Sequence, residues 1–121
     1  MRAELLYLQD IIDAADSIDS FLEGISKDDF FKSNLIQSAV LQKLMVVGEA
    51  SGRISAERKL KYLNIPWKQI VDFRNIAIHA YFTLDLETVW TTAIFNIPVL
   101  KKQISEILQN DFPDFEGKSK S

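Results

Sequence analysis

Between residues 35 and 47 the chain is apolar on nearly every side of any helix it could form: Leu35, Ile36, Ala39, Val40, Leu41, Leu44, Met45, Val46 and Val47. A surface helix carries one apolar stripe, whereas a helix that is apolar all round must be covered on more than one side. The chain has 121 residues, enough for one core and one domain. This segment is therefore the expected central helix, and the side left over is expected to meet a second subunit. Gly48 and Gly52, four apart, let another backbone approach closely, and Glu49 lies between them. A carboxylate in so apolar a helix needs a partner, because burying it unpaired is costly. Arg74 and Asn75 are the candidates. Glu49 then either holds two helices together or orients Arg74, and the two roles are compatible.

The flanking segments supply the rest of a bundle. Leu5, Leu8, Ile11, Ile12, Ala15, Ile18 and Leu22 recur at helical spacing, with Gly24 placed as a C-cap. Asp10, Asp13 and Asp16 lie on the outer face of that helix, either as a solvated face or as a docking strip for a basic partner. Ser26 suits the N-cap of a second helix, with Asp28 and Asp29 in its first turn. Residues 53–64 read as a connection with one helical turn near residues 57–61. Pro66 favours a helix start, and Ile70, Phe73, Ala77 and Ile78 give that helix a stripe that runs out near Ala80. Residues 82–84 are expected to be extended. Asp85 then caps the last long helix, with Leu84 and Val89 placed for a hydrophobic staple. Val89, Ala93, Ile97, Leu100, Ile104 and Leu108 mark its buried face, and Pro98 is expected to kink it. The expected fold is all-α: an antiparallel up-and-down bundle of four main helices over residues 1–110, five if Pro98 splits the last. Residues 111–121 form an expected frayed tail.

Several function classes drop out on composition. With no cysteine there is neither a disulfide framework nor a thiolate metal site. The single histidine means that a zinc site would need mostly carboxylate ligands, an uncommon arrangement. No cofactor and no metal are expected. No apolar run approaches the length of a membrane span, and the N-terminus reads as an acidic amphipathic helix rather than a signal peptide, so a cytoplasmic protein is expected. The net charge of −3 argues mildly against general nucleic-acid binding, but residues 53–74 carry a local balance of +4. Arg53, Arg58 and Lys68 in that stretch are expected to steer phosphate toward the helix begun at Pro66; otherwise the stretch is a solvated basic loop.

That helix bears the chemistry. Residues 67–81 place Arg74, Asn75, His79 and Tyr81 within eight positions. On a helix Asn75 and His79 share a face, with Arg74 one residue's rotation to the side. Arg74 and His79 are separated by about 7.5 Å along the axis, so one phosphate could touch both.

Arg74, four residues, His79, one residue and Tyr81 reproduce the Arg-x4-His-x-Tyr motif, and the chain resembles the HepT-like toxins, a branch of the HEPN domains. The resemblance covers residues 5–108 and includes Gly48-Glu49-Ala50, Ile65-Pro66-Trp67, Val89-Trp90 and Pro98-Val99-Leu100. It implies a small all-helical dimer with metal-independent endoribonuclease activity, the toxin of a type VII-like pair. Its implied partner is a cognate nucleotidyltransferase antitoxin that modifies Tyr81. RNA can be cut without a metal when its own 2′-hydroxyl attacks the neighbouring phosphate. Imidazole suits the proton transfer, and a guanidinium suits the developing charge. One histidine cannot easily serve as base and acid in a single step; two copies of the Arg74–His79 pair in one cleft can. Tyr81 is a poor base. Asn75 either fixes the local turn or orients His79. The rival expectation is a non-catalytic helical partner that binds a nucleotidyltransferase and uses Arg74 and His79 to recognise its nucleotide.

Overall fold

A computed structural model describes residues 2–83 and 85–114, and all regular structure in them is helical. Helix α1 (Arg2–Leu22) packs on α3 (Asn34–Gly52) and on α8 (Ile97–Asp111); α3 also takes α5 (Trp67–Val71) and α6 (Phe73–Thr83) against it. Three further short helices, α2 (Lys27–Lys32), α4 (Ala56–Lys61) and α7 (Leu86–Thr91), connect these elements. No helix among the described residues is long and apolar enough to cross a membrane.

Local chemistry sets most of the boundaries. Gly24 ends the first helical segment at φ 73°, a left-handed conformation that suits glycine. Ser26 caps α2 in a reciprocal box with Asp29. Ser33 caps α3 by accepting from the Ile36 amide at 3.2 Å. Buried Gln37 donates to the carbonyls of Phe30 and Phe31 at 3.0 and 3.1 Å, so the end of α2 is satisfied by the start of α3. Phe30 itself is fully buried, its ring 5.4 Å from that of Trp90. Along α3, Val40, Leu44 and Val47 are inaccessible, while Leu35 is 80% exposed and Met45 39%. The central helix thus keeps an uncovered apolar side within one chain. Asp16 of the acidic strip pairs with Lys101 on α8, whereas Asp10 and Asp13 face solvent.

Three expectations need correction. The helix begun at Pro66 is not continuous: it turns at Asp72 and restarts at Phe73. α3 packs on this turn, and its Gly48 lies so close that a β-carbon there would sit 2.6 Å from the Arg74 amide nitrogen and 3.0 Å from the Val71 carbonyl oxygen. The close approach expected at Gly48 therefore serves the chain's own motif segment. Second, α6 does not stop near Ala80 but runs through Tyr81 and Phe82 to Thr83, whose hydroxyl donates to the His79 carbonyl at 2.9 Å. The Leu84–Val89 staple falls on Leu84, outside the described residues, though Asp85 does cap α7. Third, the disturbance assigned to Pro98 appears one turn earlier, as a π-helical segment at Thr92–Asn96. Proline's ring clashes with the carbonyl four residues back, and a widened turn gives it room.

At the end of the last helix, α8 runs on to Asp111. Asp111 is the buried end of α8, 4% exposed in its side chain. It accepts from Arg58, from Lys61 at 2.7 Å and from the Tyr62 hydroxyl at 2.8 Å. Arg58 also donates to Glu4 on α1 and lies over the Phe112 ring at 4.8 Å. Residues 115–121 of the expected tail lie outside the described residues.

Burial pushes the Asp111 carboxyl up, but the hydrogen bonds from Lys61, Tyr62 and Arg58 outweigh it and hold the group below the usual carboxylate range. A carboxylate lowered on folding stabilises the protein above its unfolded pKa, and that contribution is lost as pH falls through the folded value. Asp111→Asn is therefore expected to lower stability by about 3 kcal/mol at pH 7. The gap to the unsubstituted protein should close as pH drops below about 4. Thermal melts of both proteins from pH 7 to 2.5 check this, and a pH-independent gap would refute it.

Candidate functional site

Arg74 emerges in the first turn of α6 and His79 a turn and a half later, both exposed. The apolar side of the same helix, Phe73, Ala77 and Ala80, is buried and fixes which way the polar side faces. Glu49 on α3 reaches across: its carboxylate lies 3.4 Å from Arg74 Nε and 3.3 Å from Arg53 Nη2. One carboxylate therefore sits between two guanidinium groups. All three side chains are roughly half exposed, and surface pairs of this kind contribute about 0–1 kcal/mol. An incoming phosphate could take over Arg74 at little cost. The His79 imidazole makes no hydrogen bond or ion pair among the described residues, so both its ring nitrogens are available.

Asn75 is not drawn to Glu49. It donates to Asp72 at 2.8 Å and braces the turn between α5 and α6, the first of its two expected roles. Tyr81 is 66% exposed, and its ring meets that of Phe82, 78% exposed, edge-to-face at 5.2 Å. Lys68 is exposed on α5. Arg58 is not with them: it is held between Glu4 and Asp111, with its side chain 18% exposed. A phosphate-steering role for Arg58 does not fit this placement. Lys61 is drawn to Asp111 as well, so the basic stretch is more neutral in the fold than in the sequence.

Beside Arg74 and Arg53 opens a cavity of about 410 Å³ between α1 and α3, walled also by Tyr7, Asp10 and Gln42. Tyr7 and Gln42 did not stand out in the sequence, and Asp10 did so only as part of a possible docking strip for a basic partner. Tyr7 and Asp10 belong to the amphipathic pattern of α1, and only the α1–α3 packing brings them to the arginines.

The family model for ribonuclease HepT-like proteins matches residues 11–107, which takes in the whole motif. The chain belongs to the ribonuclease HepT-like family. Similar proteins carry corresponding names. A Methanocaldococcus jannaschii protein named “Putative RNase” is 36% identical over 115 residues, covering 95% of this chain and 92% of its own. The “Probable ribonuclease HepT” of Thermococcus cleftensis is 36% identical over 106 residues, covering 88% of this chain and 96% of its own. A third, from Methanocaldococcus jannaschii, is named for a gamma-glutamylcyclotransferase and an RNase together. It is 35% identical over 110 residues, 90% of this chain, and this HepT-like chain spans only 50% of its length. No solved structure gives a significant match to the chain.

Proposed function

We propose that this HepT-like chain is the toxin of a type VII-like toxin–antitoxin pair. In this reading it is a metal-independent endoribonuclease that works as a two-fold, four-helix HEPN-type dimer in the cytoplasm. A cognate nucleotidyltransferase silences it by adenylylating Tyr81. The observation that carries the reading is the shared exposure of Arg74, His79 and Tyr81 on one helix of a family whose members are named as ribonucleases.

Arg74 would leave Glu49 and hold two oxygens of the scissile phosphate, where its fixed fork matches their geometry. The RNA 2′-oxygen forms a bond to phosphorus as the bond to the 5′-oxygen breaks. One imidazole takes the 2′-hydroxyl proton while a second, from the partner copy, protonates the leaving oxygen. The products are a 2′,3′-cyclic phosphate and a free 5′-hydroxyl. Exposed Leu35, Phe95 and Val99 supply apolar surface for such a partner. Incubation of purified protein with single-stranded RNA in EDTA tests the reading. Intact RNA at micromolar enzyme would overturn it.

The second reading, a non-catalytic partner of a nucleotidyltransferase, is favoured by one observation: Arg58 and Lys61 are tied to Asp111, which weakens the basic surface expected to attract RNA. The same EDTA experiment separates the two.

Silencing would proceed by attack of the Tyr81 hydroxyl on the α-phosphate of ATP, with release of pyrophosphate. On helix α6 Tyr81 lies on the same side as Arg74, two turns on, so the adduct would set a negative, bulky group beside the phosphate site and exclude RNA by repulsion and occlusion. Tyr81→Phe keeps the ring against Phe82 and removes the acceptor. That variant is expected to melt within about 0.5 kcal/mol of the parent, to remain toxic, and to escape neutralisation. Mass spectrometry should find one added AMP on the parent and none on the variant. A neutralised complex with unmodified Tyr81 would mean that the antitoxin blocks by contact alone.

A further inference from the structure

We infer that the cavity between α1 and α3 is a base-binding subsite. It receives one unpaired nucleotide of the RNA adjoining the phosphate held at Arg74, with the base stacked on Tyr7. The inference rests on the ribonuclease reading for the identity of the ligand. Its support, however, is the cavity's own geometry.

At about 410 Å³ the cavity is within the range of small-ligand sites. Arg74 belongs to its wall and is also the group assigned to the scissile phosphate, so a strand held there has a direct route inward. Tyr7 is partly buried and packed against the core, which fixes its ring as a platform. Above it stands the Arg53 guanidinium, 5.8 Å from the ring centroid. A base between two flat groups needs about 3.5–4 Å on each side, so Arg53 must lift by about 1–2 Å. Its side chain is 56% exposed and its ion pair with Glu49 is a surface one, so that movement is cheap. Unstacked RNA bases are commonly held in this way, between an aromatic ring and an arginine plane.

The lining offers groups for both parts of a nucleotide. Arg53 and Arg74 can take its phosphate once Glu49, which also lines the cavity, gives up one of its two surface ion pairs. The Asp10 carboxylate is a second acceptor in the same wall. Asp10 can accept from a base N–H, and the Gln42 amide can both donate and accept. A phosphate alone would engage only the arginines; a nucleotide engages the polar base-binding groups as well.

The test is a binding cycle. A single-stranded oligonucleotide with every 2′-hydroxyl methylated, which blocks cleavage, is titrated by fluorescence anisotropy, and abasic sites are scanned along it. In the unsubstituted protein one abasic position is expected to weaken Kd about tenfold, and Tyr7→Ala is expected to weaken the intact oligonucleotide similarly. Combined, the two losses should not multiply, because both remove the same stack. Tyr7→Phe should restore the coupling. Arg53→Ala, a surface change, should couple to the same abasic position and decides the matter if Tyr7→Ala does not fold. Losses that multiply, or no sensitive abasic position, would overturn the subsite. Cleavage of the all-ribose oligonucleotide in EDTA is scored separately. Coupling without cleavage sinks the nuclease reading and leaves the subsite standing; cleavage without coupling does the reverse.

Discussion

His79→Ala is expected to slow RNA cleavage at least about a hundredfold, the usual loss for a general acid–base group, while the melting temperature stays put. The imidazole is exposed and makes no hydrogen bond or ion pair among the described residues, so its removal costs the fold little. Arg74→Ala should cost cleavage about a hundred- to a thousandfold, and removes only a half-exposed pair with Glu49. Arg74→Lys is the sharper variant: it keeps the charge but loses the fork that binds two oxygens, so it should restore little. Single-turnover cleavage in EDTA, beside circular dichroism melts, reads both quantities. Full cleavage by either alanine variant would place the chemistry elsewhere.

A second large effect is expected at a residue with no side chain. Gly48→Ala would put a β-carbon 2.6 Å from the Arg74 nitrogen and 3.0 Å from the Val71 oxygen. Both are main-chain atoms, so no rotamer change relieves the clash; α3 or the Asp72 turn must shift. Overpacking of this kind costs about 3 kcal/mol, offset by about 1 kcal/mol of helix propensity gained. A net loss of about 2 kcal/mol should lower the melting temperature by about 5–10 °C. Cleavage should fall as well, because the strained atoms carry Arg74. Gly52→Ala is the control. Its new carbon would meet only Val71 Cγ1 at 3.8 Å, an ordinary contact, and the variant should melt within about 0.5 kcal/mol of the parent. Equal melts for the two alanine variants would mean that the helices do not approach this closely.

The features legible in the chain were local ones. Ser26 and Asp85 act on amides three residues ahead, and the stripe of α1 repeats within a turn, so pattern alone located them. The Arg74–His79–Tyr81 spacing needs nothing but a helix. Partners distant in sequence stayed out of reach. Arg58 looked like one more basic residue, and nothing nearby announces Glu4, 54 positions away, or Asp111, 53 positions away. Tyr7 likewise looked like ordinary stripe filling. The continuation of α6 past Ala80 was hidden because Tyr81, Phe82 and Thr83 have middling helix propensity. A single side-chain bond from Thr83 to the His79 carbonyl accompanies it. Gly48 was recognisable as a point of close approach, but no pattern in α3 says which backbone arrives there.

Because Glu4 and Asp111 grip the same guanidinium, the chain enters and leaves its helical unit at one spot on the surface. A unit with adjoining ends behaves as a plug-in cassette: it can be spliced onto, or between, other coding segments without stretching either. The same geometry warns the protein engineer. A truncation after residue 110, where the sequence pattern fades, would cut away the latch itself, whereas a fusion joined beyond residue 114 would leave it closed.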